Sequence, residues 1–261
     1  MSDPKKIVPK KIFTSHEKEI IKDVYKELDI PTRRQFGKKA LSLGAIAMLS
    51  GCSLSNEDSI EKALMVMSRF NDRVQGLLFD PNLMAPTYSE DMLTKPFPFN
   101  AFYGEDEIRP SPVNFKLKVS GLVQDTKYWT LPELRAMPQT SQITRHICVE
   151  GWSAIGKWGG VRFSDFLKRI GADIGAQFVG FRCHDDYYTS IDMPTAMHAQ
   201  TLLTLTYADE VLPPQYGYPM KLRMPTKLGY KNPKYIQEIF VTNVNPGGYW
   251  EDQGYNWFGG S

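Results

Sequence analysis

Apolar side chains recur at two different spacings along the chain. Between residues 59 and 78 they return every three or four positions, which is typical of an amphipathic helix. Between residues 113 and 119 they alternate with polar neighbours, which predicts a half-buried strand that ends at Gly121. Helices and strands are therefore expected together in this protein.

Beyond Gly121, short strands and short helices follow one another irregularly. Strands are predicted at residues 143–149, 178–183, 187–191, 220–224 and 236–242. Helices are predicted at residues 131–137, 164–170 and 195–199. Because no regular strand–helix–strand alternation links them, the pattern predicts an α+β fold. Six prolines lie between residues 80 and 112, where we expect a structured loop or a linker.

The segment from Thr32 to Cys52 has the layout of an export signal. Arg33 and Arg34 precede a lysine pair and an apolar run over residues 40–49, and together they resemble a twin-arginine (Tat) signal. As a helix, the run rises roughly 15 Å, about half of a ~30 Å hydrocarbon core, which is too short for a stable membrane span. We therefore expect a periplasmic protein that the Tat machinery exports in its folded state. An ordinary amphipathic helix after a chance arginine pair is the alternative, although residues 40–49 show no polar stripe.

The end of this segment, Leu-Ser-Gly-Cys at residues 49–52, also resembles a lipobox. It predicts a lipid anchor at Cys52, with an unmodified cysteine as the alternative. The first 51 residues carry 11 of the 31 Lys and Arg residues and 6 of the 29 Asp and Glu residues, which leaves the remainder at −3. Such a charge balance argues against a nucleic-acid partner.

Three cysteines are too few for a disulfide scaffold, and no nucleotide-binding or zinc-protease motif occurs. The unusual segment is residues 145–153, Arg-His-Ile-Cys-Val-Glu-Gly-Trp-Ser, a predicted strand that enters a glycine turn. Cys148 has Arg145 and His146 beside it, and positive charge favours the thiolate that a soft metal binds. A lone cysteine is more often an inert buried thiol, but Tat export of a folded protein favours an inserted cofactor.

The segment CVEGW after Arg145 resembles the molybdenum-binding segment of the sulfite-oxidase-like molybdopterin enzymes, in the branch of the periplasmic methionine sulfoxide reductase catalytic subunit. Residues 100–104, 212–217 and 229–234 agree with it in order and spacing, so the resemblance covers about residues 90–245. It implies a sulfite-oxidase-type α+β fold with mixed sheets and short helices. It also divides the chain into a signal segment at 1–51, a helix and linker at 52–89, and an oxidoreductase domain at 90–261.

The resemblance further implies roles for individual residues. Cys148 would be the only protein ligand of the molybdenum, because the pterin supplies the other sulfurs. The residues implied to contact the pterin or its terminal phosphate are Asn100, Tyr103, Gly104, Arg145, Cys183, Tyr216, Lys221, Lys231, Asn232, Pro233 and Lys234. The chain departs from the family pattern at three of these positions. Tyr216 stands where the family has Asn or His, Lys221 where Arg is usual, and Cys183 where the reductase has Thr.

The implied reaction is oxygen-atom transfer from a sulfoxide-type substrate, with electrons from a membrane haem b subunit or a periplasmic cytochrome. The chain contains no CxxCH haem-attachment motif of its own. Tyr188 is a candidate proton donor, with an ordinary turn as the alternative. The aromatic residues at 249–258 are expected to line a substrate entrance, dock a partner or cover the core.

Two rival functions stay open at this point. One is oxidation of sulfite or another small oxyanion, which is disfavoured because the core offers only Arg145, Arg182 and Arg223, none in an adjacent pair. The other is a cofactor-free exported binding domain in which Cys148 and Cys183 form a disulfide that excludes a metal.

Overall fold

The computed structural model describes residues 57–100 and 114–261, with side chains from residue 67 onward. The signal segment, Cys52, Tyr103 and Gly104 therefore lie outside the described residues. The described residues between 61 and 261 form one compact unit, and the first residues of the described range, 57–60, lie outside it. This unit contains all ten strands that the structure describes. The predicted domain boundary at residue 90 stays a prediction.

The strands form two sheets of five. In chain order they are β1 (Lys116–Gly121), β2 (Tyr128–Thr130), β3 (Gln139–Ile147), β4 (Ser153–Arg162), β5 (Phe178–Cys183), β6 (Tyr188–Asp192), β7 (Leu202–Tyr207), β8 (Glu210–Val211), β9 (Lys221–Arg223) and β10 (Ile236–Thr242). The first sheet has the order β2-β1-β10-β5-β6, and the second has the order β3-β4-β7-β8 with β9 paired to β7. Strands β1 and β10 are parallel, whereas their other neighbours are antiparallel, so the first sheet is mixed.

The helices are few and, after the first, short. They are α1 (Glu57–Leu78), α2 (Leu131–Ala136), α3 (Phe163–Arg169), α4 (Met193–Met197) and α5 (Tyr249–Asp252). Single turns of 3-10 helix occur at Glu90–Met92, Pro214–Tyr216 and Gly229–Lys231. Within the described ranges, no helix is long and apolar enough to cross a membrane. This architecture confirms the predicted α+β class.

Two groups of buried side chains hold the sheets together. The larger contains buried aliphatic and aromatic residues of both sheets and of α3, among them Leu117, Phe166 and Ile239. The smaller is aromatic and centres on Phe97, Trp158 and Tyr216. Phe97 lies edge-on to both other rings, with centroids 5.2 Å from Trp158 and 5.5 Å from Tyr216. This aromatic group supports the proline-rich segment at the place where the cavity described below begins.

Strand β3 is the element that carries the cysteine motif. It pairs with β4 through nine consecutive residue pairs, from Gln139 opposite Val161 to Ile147 opposite Ser153. Side chains alternate between the two faces of a strand. Thr144, His146 and the following Cys148 are accordingly buried, while Arg145 between them is exposed.

The sequence pattern did not predict four of the strands, β2, β4, β7 and β8. Strand β4 contains three glycines, and because glycine weakens the interior of a strand, this segment lacks the pattern expected of one. The structure needs Gly160 for close packing, because a Cβ there would lie 2.0 Å from the Leu203 carbonyl oxygen of β7. The β4–β7 register also shifts between Gly159 and Gly160, as expected of a bulge.

Helix α1 matches the predicted amphipathic helix and packs against residues 256–261. Asp72 accepts a hydrogen bond from the Phe258 backbone N–H at 2.7 Å, and Gln75 accepts one from Gly260 at 3.1 Å. These contacts join segments that are about 185 residues apart in the sequence.

Candidate active site

A cavity opens beside the end of β3, where several separate segments meet. Its walls come from the proline-rich segment, the cysteine turn, the Gly229–Lys231 turn and the C-terminal aromatic segment. The predicted site residues that line it are Asn100, Cys148, Tyr216, Lys221, Asn232, Pro233 and Lys234. The fold thus brings together most of the described residues that the resemblance singled out.

Cys148 lies where β3 passes into a tight turn. Its backbone N–H donates to the Trp152 carbonyl at 2.9 Å, and its own carbonyl accepts from the Gly151 N–H at 3.1 Å. Gly151 has a φ of +91°, which favours glycine at this position. The Asn100 side-chain amide lies 3.5 Å from the Cys148 sulfur and donates a hydrogen bond to it. The turn therefore presents one thiol, 8% exposed, to the cavity.

The charge expected beside this thiol is not supplied by its sequence neighbours. The Arg145 side chain is exposed on the opposite face of β3, where its guanidinium lies 5.3 Å from the Tyr88 ring centroid. Burial, and secondarily the charge of Glu150, raises the pKa of Cys148, whereas hydrogen bonds from Glu150, Val149 and Asn100 lower it. The prediction that Arg145 and His146 favour the thiolate was wrong, because strand alternation turns Arg145 away and burial keeps the imidazole neutral.

His146 itself lines the cavity and is 7% exposed. Burial is the main reason that its pKa lies well below the ordinary value, and the charges of Lys221, Arg223 and Lys234 lower it further. Its ring lies between those of Phe97 and Trp152, at centroid distances of 6.1 and 5.7 Å.

Two lysines contribute to the cavity wall. Lys221 is only 3% exposed, its amine nitrogen lies 4.8 Å from the Trp158 ring centroid, and no carboxylate among the described residues pairs with it. Burial, then the charges of Lys234 and Arg223, lower its pKa well below the ordinary value. Lys234 donates to the Asn100 and Gln215 carbonyls at 2.5 and 2.9 Å. Burial lowers its pKa to about 8, although the charge of Asp185 opposes that shift.

Besides Arg145, three predicted residues that the structure describes are not among those that line this cavity. Lys231 forms a buried ion pair with Glu251. Tyr188 donates to Asp252 at 2.5 Å and lines a second cavity instead. Cys183 is fully buried in the main core and borders that second cavity. Their cofactor or proton-donor roles stay predictions that the geometry does not favour.

The two described cysteines are both free. Cys148 faces the first cavity and Cys183 the second, so the structure holds no disulfide between them. In the described part of the chain, no three His, Cys, Asp or Glu side chains converge on a possible metal position. A metal held at Cys148 would therefore need a cofactor that supplies its other ligands.

Sequence reasoning missed most of the aromatic wall. Phe97, Phe99, Trp152 and Tyr187 line the cavity, together with Trp250 from the C-terminal aromatic run. The aromatic residues at 249–258 have two roles. Trp250 lines the cavity, whereas Trp257 packs against Phe178 of the first sheet and covers the core. The clue available in the sequence was the density of aromatics beside CVEGW and after residue 248.

The family model for the oxidoreductase molybdopterin binding domain matches residues 105–250, more than half of the chain. This protein belongs to that family. It is an oxidoreductase with a molybdopterin-binding domain of the sulfite-oxidase type, as the resemblance implied.

Two relatives of this molybdopterin-binding oxidoreductase are similar to it over a longer part of the chain than the family model. A putative protein-methionine-sulfoxide reductase subunit, YedZ1, of Azospira oryzae is 63% identical over 94% of each chain. The protein-methionine-sulfoxide reductase catalytic subunit MsrP of Ralstonia nicotianae is 30% identical, over 67% of this chain and 61% of its own. Among solved structures, the sulfane dehydrogenase SoxCD of Paracoccus pantotrophus aligns with a TM-score of 0.47 and 19% identity, over 50% of this chain and 38% of that chain.

The cavity fits the cofactor that the family binds. Lys221 and Lys234 line the cavity, and no carboxylate among the described residues pairs with Lys221, so a terminal phosphate would supply the countercharge that this buried lysine lacks. Cys148 places a single thiol on the wall of the same cavity, which suits a metal whose other sulfurs belong to the pterin.

Proposed function

We propose that this oxidoreductase reduces methionine sulfoxide, free or in proteins, by oxygen-atom transfer. The observation that carries the proposal is the composition of the cavity around Cys148: one thiol, an aromatic wall and the two lysines Lys221 and Lys234, with no arginine among the lining residues. The names of the relatives from Azospira oryzae and Ralstonia nicotianae, both protein-methionine-sulfoxide reductase subunits, support the same substrate.

In this proposal the chain's own residues hold both the metal and the phosphate of the cofactor. Cys148 binds the molybdenum as a thiolate, and the Asn100 amide stabilises that sulfur by its hydrogen bond. Lys221 and Lys234 bind the terminal phosphate, and Tyr216 and Pro233 contribute to the wall of the same cavity. Tyr216 is fixed there by the hydrogen bond that its hydroxyl donates to the Phe97 carbonyl at 2.9 Å. When bound, the molybdenum cofactor supplies the two-electron chemistry of oxygen-atom transfer.

The arginines of the core support a neutral substrate over sulfite. Arg182 is paired with Glu238 at 3.2 Å, and Arg223 donates to the Arg145 carbonyl at 2.6 Å. The exposed Arg145 lies over Tyr88, and none of the three is among the residues that line the cavity. A sulfite or sulfate anion needs several convergent cationic donors, whereas a sulfoxide needs one or two hydrogen bonds.

Export and electron supply complete the proposal. The twin-arginine pair supports Tat export to the periplasm, and the Cys52 motif supports a lipid anchor. Electrons come from a membrane haem b subunit or a periplasmic cytochrome, because the chain has no haem-attachment motif. The 94% coverage of the Azospira oryzae protein, which is named a subunit, supports a partner.

The test uses the full chain purified from a host that makes the cofactor. With a reduced dye as electron donor, methionine sulfoxide and dimethyl sulfoxide should be reduced at rates that scale with molybdenum content. Sulfite with an electron acceptor should give little turnover. Faster turnover of sulfite than of either sulfoxide at equal molybdenum content would reverse the substrate assignment.

A further inference from the structure

His146 is a buried polar side chain that the site described above does not use. It is 7% exposed, lines the cavity and lies two positions before Cys148 on the same face of β3. Its Nδ1 atom is buried and has no hydrogen-bond partner among the residues that the structure describes. A buried imidazole without protein hydrogen bonds costs free energy, and a ligand that bonds to its accessible nitrogen would offset part of that cost.

The other ring nitrogen, Nε2, lies beside Gly229, which also lines the cavity. A Cβ at that glycine would lie 2.9 Å from Nε2, so the missing side chain leaves room for the imidazole edge. No described residue accepts or donates a hydrogen bond at Nε2. A neutral imidazole carries one N–H, and a buried N–H without an acceptor is rarer than an unsatisfied acceptor. The proton therefore belongs on Nε2, at the cavity edge, with Nδ1 left as the bare acceptor.

We propose that the Nε2–H of His146 donates a hydrogen bond to the pterin cofactor and so helps to retain it in the cavity. The inference rests on the proposed binding of molybdopterin at Cys148. It assigns His146 as a positioning residue, because it acts by holding the cofactor beside the thiol. The rings of Phe97 and Trp152 fix the imidazole in that orientation.

A second buried histidine provides a matched control. His198 is 1% exposed, and both of its ring nitrogens have partners, the Leu83 carbonyl at 3.1 Å and the Gln200 backbone N–H at 3.2 Å. It lies outside the cavity walls. His198→Leu should therefore destabilise the protein without loosening the cofactor, and His146→Leu should do the reverse.

The experiment measures two quantities on the full-length wild type, His146→Leu, His146→Gln and His198→Leu. The first is the rate at which bound molybdenum is lost during dialysis against dilute urea, followed by elemental analysis. The second is the urea midpoint of the same chains made in a host without molybdopterin synthesis. We expect His146→Leu to lose molybdenum about 5- to 10-fold faster than wild type, the effect of one hydrogen bond. Its cofactor-free midpoint should be unchanged or higher.

The Gln variant separates hydrogen bonding from packing. Its side-chain amide can donate in place of the imidazole, so the release rate should return toward that of wild type. Three results would each overturn the inference. The first is a rate of molybdenum release from His146→Leu equal to that of wild type, and the second is a cofactor-free urea midpoint of His146→Leu lowered as in His198→Leu. The third is a rate of release from His146→Gln as fast as that from His146→Leu. A wild-type protein that carries no molybdenum would overturn both this inference and the proposed function. A wild type that contains molybdenum, together with a His146→Leu variant that releases it at the wild-type rate, would overturn this inference but not the proposed function.

Discussion

Lys234→Met should remove a pH dependence from the stability of the cofactor-free chain. The lysine is half-buried and donates to the Asn100 and Gln215 carbonyls, and desolvation lowers its pKa to about 8. In the unfolded chain a lysine titrates near pH 10.4. Methionine keeps the length of the side chain while removing the charge.

The sign follows from proton binding. Between about pH 8 and pH 10.4 the unfolded chain holds a proton on this lysine that the folded chain has released, so the free energy of unfolding rises with pH. The difference between the folded and unfolded pKa values of Lys234 corresponds to about 3 kcal/mol of unfolding free energy. About 2 kcal/mol of this change in unfolding free energy occurs between pH 7 and pH 9.5, a range in which urea unfolding can be measured.

The assay is urea unfolding of the cofactor-free wild type and Lys234→Met at those two pH values. The stability difference between the two proteins should change by about 2 kcal/mol in favour of the wild type at the higher pH. Lys116→Met is the control, because Lys116 is exposed on β1, and its difference from wild type should stay constant. A pH-independent difference for Lys234→Met would refute the reasoning that burial controls this ammonium.

Three further predictions concern the thiol and the export signal. Cys148→Ser should lower turnover per molybdenum on the order of tenfold or more, measured beside metal content, because a hydroxyl is a poor ligand for a soft metal; full turnover would show that Cys148 is not the ligand. Asn100→Leu should slow iodoacetamide labelling of Cys148 in the cofactor-free chain about 5-fold, since the thiolate loses a hydrogen-bond donor; the buried Cys183 should stay unlabelled, and an unchanged rate would contradict the assigned bond. Arg33→Lys combined with Arg34→Lys should leave folded, loaded precursor in the cytoplasm, as judged by cell fractionation; an unchanged periplasmic yield would argue against the Tat route.

The sequence predicted the helix at 59–78 and the strands at 178–183 and 236–242 well, because their apolar periodicity coincides with burial in the structure. It failed at β4, where glycines permit the close approach of β7. Such a requirement depends on a neighbour that is more than 40 residues away in the chain. Periodicity within a short window carries no information about that neighbour.

The candidate site shows the same limit. The resemblance singled out Lys221 and Lys234, and the fold places both on the cavity wall. It also included Arg145 and Lys231, but the alternation of β3 exposes the first and Glu251 pairs with the second. Which face of a strand a residue occupies, and which carboxylate a lysine meets, are decided by tertiary packing.

The alternation along β3 has a consequence for how this site tolerates change. Because Thr144, His146 and Cys148 share one face while Arg145 faces the other way, a single-residue insertion or deletion within residues 139–147 would exchange the two faces. Nine consecutive pairs with β4 hold the present alignment. Related proteins should therefore keep the length of this strand unchanged up to the cysteine, while the side chains at its exposed positions vary.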